Sequence, residues 1–205
     1  MTVVVIDYGL GNIASILNML KKVGVSASVA SCPEKINNAD KIILPGIGSF
    51  DTGMKNLAER GLIGVLYERV IKEKVAILGI CLGMQLLTKR SQEGGLDGLG
   101  WVDADTVKFN FDNHNGGLRI PHMGWNTVEP VKENLLFKDM SGEVRFYFAH
   151  SYHVVCYNSS DIIAMTCYGY NFVSVFQNKN IFGVQFHPEK SHSFGMKVLE
   201  NFVAL

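Results

Sequence analysis

The stretch AILGICLGMQLL, Ala76 to Leu87, decides the fold. Its first residues form a short apolar run that reads as a buried strand, and LGMQLL after Cys81 reads as the opening of a helix. The junction is Gly79-Ile80-Cys81-Leu82-Gly83. Glycines on both sides of a central residue permit the sharp strand-to-helix turn of a nucleophile elbow, which offers that residue's side chain at the end of a sheet. A cysteine can equally be a small apolar filler of a core. The paired glycines and the strand-helix context favour the reactive reading. A helix N-terminus favours the thiolate. An unperturbed cysteine, with a pKa of about 8.5, is only a few per cent ionised at neutral pH, so a base partner is expected.

Outward from the elbow, the first half of the chain alternates short β-branched runs with helical patterns. VVVID, SASVA, KIILP and VAILGI read as strands, with helical stretches over Asn12 to Val23 and Met54 to Lys72 between them. That rhythm predicts an α/β fold with a parallel sheet flanked by helices. After Trp101 the texture changes to short alternating runs broken by Gly, Asn and Pro: FNFDNHNGG, RFYFAHSYHVV, VSVFQ and IFGVQF. These predict an antiparallel or mixed extension, closed by a helix from Ser193 to Ala204. No repeat or linker divides the 205 residues, so a single domain over 1–205 is expected, large enough to bury roughly 70 % of its unfolded surface.

The composition excludes several functions. Nineteen basic residues balance nineteen acidic ones, which removes the electrostatic footprint of a nucleic-acid or anionic-membrane binder. No apolar run approaches the roughly 20 residues of a membrane span. No basic, then apolar secretory leader opens the chain, so a cytoplasmic location is expected. Cys32, Cys81, Cys156 and Cys167 are scattered without a C-x-x-C pair, which argues against a disulfide framework and against a zinc site.

The base partner is sought among six histidines. His187 stands in GVQFHPEKS, just beyond the predicted strand Ile181 to Phe186. In extended chain, residues two apart face one way, so Glu189 can orient the His187 ring while its other nitrogen takes the thiol proton. Alone, H-P-E could be a surface turn; with the elbow it completes a nucleophile, base and orienter. Leu44-Pro45-Gly46-Ile47-Gly48-Ser49-Phe50 follows a strand, and its amides could bind a developing oxyanion, although an ordinary strand-to-helix turn explains the glycines equally well.

PGIGSF, GICLGMQLL, PHMGWN and FGVQFHPEKS, in this order and with the opening DYGLGNIAS, resemble class I (triad) glutamine amidotransferases over essentially the whole chain. DYGLGN with PHMGWN narrows the resemblance to glutaminase subunits of imidazole glycerol phosphate synthases. The resemblance implies a flavodoxin-like fold, no cofactor and no metal. It implies L-glutamine as substrate, with Cys81 as nucleophile, His187 as general acid and base, and Glu189 orienting it. Gly48 and Leu82 match oxyanion positions; Gly46, Gln85, Glu93, Ser151 and Tyr152 match substrate-holding positions. Asn12, His122, Trp125, Tyr147 and Lys190 match positions that face a cyclase (β/α)8-barrel subunit, which forms a heterodimer with the glutaminase and consumes the ammonia.

Other readings compete. Gly9-Leu10-Gly11-Asn12-Ile13-Ala14 follows a strand as a dinucleotide fingerprint does, but SASVASCP lacks the acidic residue that should end the second strand. A peptidase, a thioesterase or a silent binding subunit could share the elbow. Within the family, paralogous glutaminases supply ammonia to a different barrel synthase for sugar amidation in surface-polysaccharide biosynthesis. The segment Phe109 to Gly117 looks longer than the usual pattern.

Overall fold

The computed structural model describes residues 1–111 and 118–205, so Asp112 to Gly117 of the long segment before PHMGWN lie outside the described residues. The first half runs β1 (Val3–Ile6), α1 (Ile13–Lys22), β2 (Ala27–Ala30), β3 (Lys41–Leu44), α2 (Phe50–Glu59), α3 (Leu62–Tyr67), β4 (Ala76–Ile80) and α4 (Leu82–Leu86). The second half runs β5 (Ala104–Lys108), β6 (His122–Thr127), β7 (Glu129–Pro130), β8 (Arg145–His150), β9 (Tyr152–Cys156), β10 (Ile162–Tyr168), β11 (Tyr170–Asn178), β12 (Ile181–Val184) and α5 (His192–Ala204).

The main sheet has the order β2-β1-β3-β4-β12-β11-β10-β7. Pairing is parallel from β2 to β12 and antiparallel beyond it, with β5 and β9 attached through β11. Strands β6 and β8 form a separate antiparallel ribbon. This is the expected mixed α/β architecture, and its parallel part has the flavodoxin-type strand order.

Continuous apolar runs form the central strands because both faces are covered. Val3 and Val5 pack with Ile16 and Leu20 of α1 and Val198, Leu199 and Phe202 of α5. Val4 and Ile6, pointing the other way, pack with Phe50 and Leu57 of α2 and Leu62 and Leu66 of α3. The register then sets the site. Gly79 pairs with Gly183 and Ile80 with Val184, and the Cys81 N–H donates to the Val184 carbonyl at 2.8 Å. Cys81 and the residues after β12 therefore leave the sheet side by side at the carboxyl ends of parallel strands, where α/β sheets bind ligands.

Three expectations are corrected. The helical stretch Met54 to Lys72 starts earlier, at Phe50, and breaks at Gly61, whose φ of +67° turns the chain before α3. RFYFAHSYHVV is two strands parted at Ser151, one in the ribbon and one in the main sheet. β5 ends at Lys108, so Phe109 to Phe111 are not strand. Among the described residues, no helix is long and apolar enough to cross a membrane.

Candidate active site

Cys81 sits at the turn between β4 and α4 with φ 53° and ψ −108°, a left-handed conformation that a non-glycine residue adopts at a cost of about 1–3 kcal/mol. The flanking glycines make the turn possible by close approach. A Cβ on Gly83 would collide with the Leu44 carbonyl, and one on Gly79 would lie 2.7 Å from the Gly83 oxygen. The strand, the turn and α4 are thus pressed together, and Cys81 is 6 % exposed at the floor of a cleft of about 210 Å³.

His187 faces the same cleft and is buried. Its Nδ1 meets Glu189 Oε1 at 2.8 Å, with both side chains almost wholly enclosed. The pair meets through a tight 3-10 turn over Pro188–Lys190, a departure from the extended run expected of the sequence. Ser191 holds this turn: its hydroxyl donates to the His187 carbonyl at 2.6 Å and accepts from the Tyr147 N–H at 3.0 Å. The His187 N–H in turn donates to the Tyr147 carbonyl at 2.9 Å.

Burial by itself would pull the His187 pKa down, because it disfavours the charged ring. The negative charge of Cys81, a hydrogen bond with it, and the Glu189 carboxylate outweigh that and push it up to about 10. Among the described residues, Glu189 Oε2 is buried with no hydrogen-bond partner and Nδ1 of His187 is the one group that serves this carboxylate. The arrangement favours a protonated His187 ring beside the Cys81 sulfur.

The remaining sequence-predicted residues fall into three groups. Gly48, Leu82, Gln85, Glu93, Ser151, Tyr152 and Lys190 line the cleft with Cys81 and His187. Gly48 has a φ of +130°, and the N–H groups of Gly48 and Leu82 have no acceptor among the described residues. Glu93 is anchored by the Phe50 N–H at 2.8 Å, at the start of α2. Gln85 donates to the Tyr152 carbonyl at 3.0 Å. Gly46 does not line the cleft. It is buried behind it, with Tyr8 Oη, Leu82 and Gly83 leaving no room for a Cβ, while Ile47 and Gly48 take the cleft wall.

Trp125, Tyr147 and Lys190 form one surface patch beside the triad. Trp125 is 41 % exposed, stacks on His192 and meets the Tyr147 ring edge-on, and the Lys190 ammonium sits 5.5 Å from the Tyr147 ring centroid. Asn12 caps α1, which packs against the Pro188–Lys190 turn. His122, expected on the docking face, is instead turned inward and buried, stacked on Tyr168 and Phe148. Met123, 64 % exposed, takes its place at the surface.

The sequence reading also missed Gln185, Ser191 and His150. His150 lies in the cleft wall and joins His122 by a 3.0 Å hydrogen bond. The signal for Gln185 and Ser191 was adjacency alone, two residues before and four after His187.

A strained cysteine at a strand-helix turn, a buried histidine-carboxylate pair and free amides meet around one cleft of an α/β protein with a flavodoxin-type sheet. Residues 4–205 match the family described as glutamine amidotransferase class-I. The chain is 52 % identical to imidazole glycerol phosphate synthase subunit HisH 2 of Methanococcus maripaludis, over 98 % of both chains. It is 48 % identical to subunit HisH 2 of Pseudomonas aeruginosa over 99 % of both. A solved structure described as a glutamine amidotransferase superposes with a TM-score of 0.76 at 20 % identity, covering 98 % of this chain and 97 % of that one, and shares the fold. The chain belongs to the class I glutamine amidotransferase family.

Proposed function

We propose that residues 1–205 act as one domain, the glutaminase subunit of an imidazole glycerol phosphate synthase, using Cys81, His187 and Glu189 as its triad. In this reading L-glutamine enters the cleft and its side-chain amide meets the Cys81 sulfur. Attack forms a carbon–sulfur bond and places negative charge on the amide oxygen, which the N–H groups of Gly48 and Leu82, both residues of the cleft wall, would receive in this reading. His187 gives its proton to the departing nitrogen, the carbon–nitrogen bond breaks, and ammonia leaves a γ-glutamyl thioester. Water, deprotonated by His187, then releases glutamate and restores the thiolate. Glu189 keeps the ring in the required tautomer throughout. Glu93, a fixed carboxylate in the cleft wall, suits the substrate's ammonium group, with Gln85, Ser151 and Tyr152 holding the rest.

The observation that carries this reading is the buried His187–Glu189 pair opening onto the same cleft as Cys81. Ammonia released into water is protonated and lost as a nucleophile, so the reading includes a cytoplasmic heterodimer with a cyclase (β/α)8 barrel. Ile47, Met123 and Trp125, exposed apolar groups around the cleft, support docking there, with Tyr147, Lys190 and Asn12 at its edge. A second reading, ammonia supply to another barrel synthase for sugar amidation, would use the same triad and cleft. The test is glutamate release by the chain alone and with the cyclase barrel plus its ribonucleotide substrate. Strong stimulation supports the first reading; a barrel that neither binds nor stimulates sends the ammonia elsewhere.

A further inference from the structure

The nucleophile has a neighbour outside the triad. Gln185 follows β12, has no exposed surface, and is fixed by its backbone N–H, which donates to the Ser174 carbonyl at 2.9 Å. Its side-chain Nε2 lies 3.7 Å from Cys81 Sγ, within N–H···S distance. Which end of the amide faces the sulfur is settled by a neighbour. The Tyr152 carbonyl can only accept, so the Gln85 atom 3.0 Å from it must be the nitrogen. The second N–H of Gln85 then points to Gln185 Oε1 at 3.1 Å. With its oxygen taken as an acceptor, Gln185 has only its nitrogen to turn toward Cys81.

We propose that Gln185 is a further catalytic residue, whose side-chain N–H steadies the Cys81 sulfur as an anion and aims it into the cleft through an amide ladder anchored on the Tyr152 carbonyl. The proposal rests on the reading of Cys81 as nucleophile. An amide suits this task because it donates to an anion without competing for its proton. Hydrogen bonds to an ionised partner are roughly twice as strong as those between neutral groups, and burial strengthens them further. His187 cannot do the same work throughout the cycle, since its proton leaves with the ammonia; Gln185 keeps its donor at every stage. The ladder also narrows the part played by Gln85. With both N–H groups engaged, it offers the cleft only its Oε1, an acceptor for a substrate N–H.

The test is the rate at which iodoacetamide alkylates Cys81 in the full chain, read by peptide mass spectrometry at pH 7 and pH 10. Gln185→Glu keeps the volume and the acceptor for Gln85 but removes the donor from the sulfur; Gln185→Met removes both. Both variants are expected to react roughly tenfold or more slowly than the wild type at pH 7, with Gln185→Glu the slower because its carboxylate also repels the sulfur anion; Gln185→Met is expected to match the wild type within about twofold at pH 10, where thiols ionise unaided. An unchanged rate at pH 7, or a deficit of equal size at both pH values in Gln185→Met, overturns the role of Gln185 and leaves the triad standing. Wild-type Cys81 reacting no faster at pH 7 than the exposed Cys167 overturns the nucleophile assignment and this proposal with it.

Discussion

Two pairs of buried groups built around histidine sit a few residues from one cleft, and they carry opposite charge states. In the first, His187 meets the Glu189 carboxylate and the charge of Cys81, and its pKa is pushed up to about 10. In the second, His122 and His150 meet one another. Burial pulls His122 down to about 4 and holds His150 well below its ordinary range, the proton on its neighbours opposing its own. The hydrogen bonds of the second pair run one way. Because the Tyr152 carbonyl accepts from His150 Nδ1, Nε2 of His150 must accept from His122 Nδ1, and His122 Nε2 then accepts from Asn126. Comparable burial yields a charged ring in one place and two neutral rings in the other. The partner decides: an anion makes a proton carrier, and a carbonyl makes a structural strut.

Glu189→Gln breaks this contrast most directly. Without the carboxylate, His187 keeps only Cys81 to hold its proton and loses the partner that orients its ring, and glutamine turnover should fall by roughly 10²–10⁴. Steady-state glutaminase assays check this, and a loss of less than tenfold would show that Glu189 does not set the state of the ring.

His150→Leu attacks the other side. It leaves the His122 Nδ1 donor unpaired in a buried site, which should cost about 1–3 kcal/mol of stability in urea unfolding. Because the neutral pair only shapes the wall, KM for glutamine should rise severalfold while kcat changes little. A collapse of kcat instead would place His150 among the proton carriers.

Ser191→Ala tests whether the turn must be held. It removes the donor to the His187 carbonyl and the acceptor of the Tyr147 N–H, and should lower kcat about tenfold with about 1 kcal/mol of stability lost. Full activity with an unchanged melting temperature would show that the turn holds itself.

The smallest effect is in the pH dependence of stability, where the two sites should act with opposite signs. His122 has a folded pKa below its unfolded value of about 6.5, so its contribution is present above that pH and is lost as pH falls toward 4. His187 has a folded pKa above its unfolded value, so its contribution is full below about 6.5 and is lost as pH rises through about 10. The stability gap between wild type and His122→Phe should therefore narrow from pH 7 to pH 4, and that between wild type and Glu189→Gln from pH 7 to pH 10. Gaps that stay constant would remove the titration argument.

The first half of the fold was legible because its strands are buried on both faces and read as continuous apolar runs between helices. VVVI, KIIL and AILGI are β1, β3 and β4, and the glycines around Cys81 marked the turn. The second half was less legible. β10, with IIAMTCY, gave no clean alternation, and RFYFAHSYHVV conceals a change of sheet at Ser151 that only pairing with β6 on one side and β5 on the other produces. The same distinction holds in the site. His187 and Glu189 stand two apart in sequence, whereas Gln85 meets Gln185 across 100 positions and His122 meets His150 across 28, through register that no local pattern encodes. The place of Gly46 behind the cleft wall is of the same kind, set by the packing of Tyr8 against it.

Cys81 is the residue on which the proposed chemistry turns. The most direct measurement is glutamate release from L-glutamine by the wild type and by Cys81→Ser, each assembled with the cyclase barrel, beside synthase activity on added ammonium. The predicted result is loss of glutamine-dependent turnover by a factor on the order of 10⁴ or more, with ammonium-dependent synthesis retained. Unchanged glutamate release by Cys81→Ser would contradict the triad and with it the chemistry assigned to the cleft.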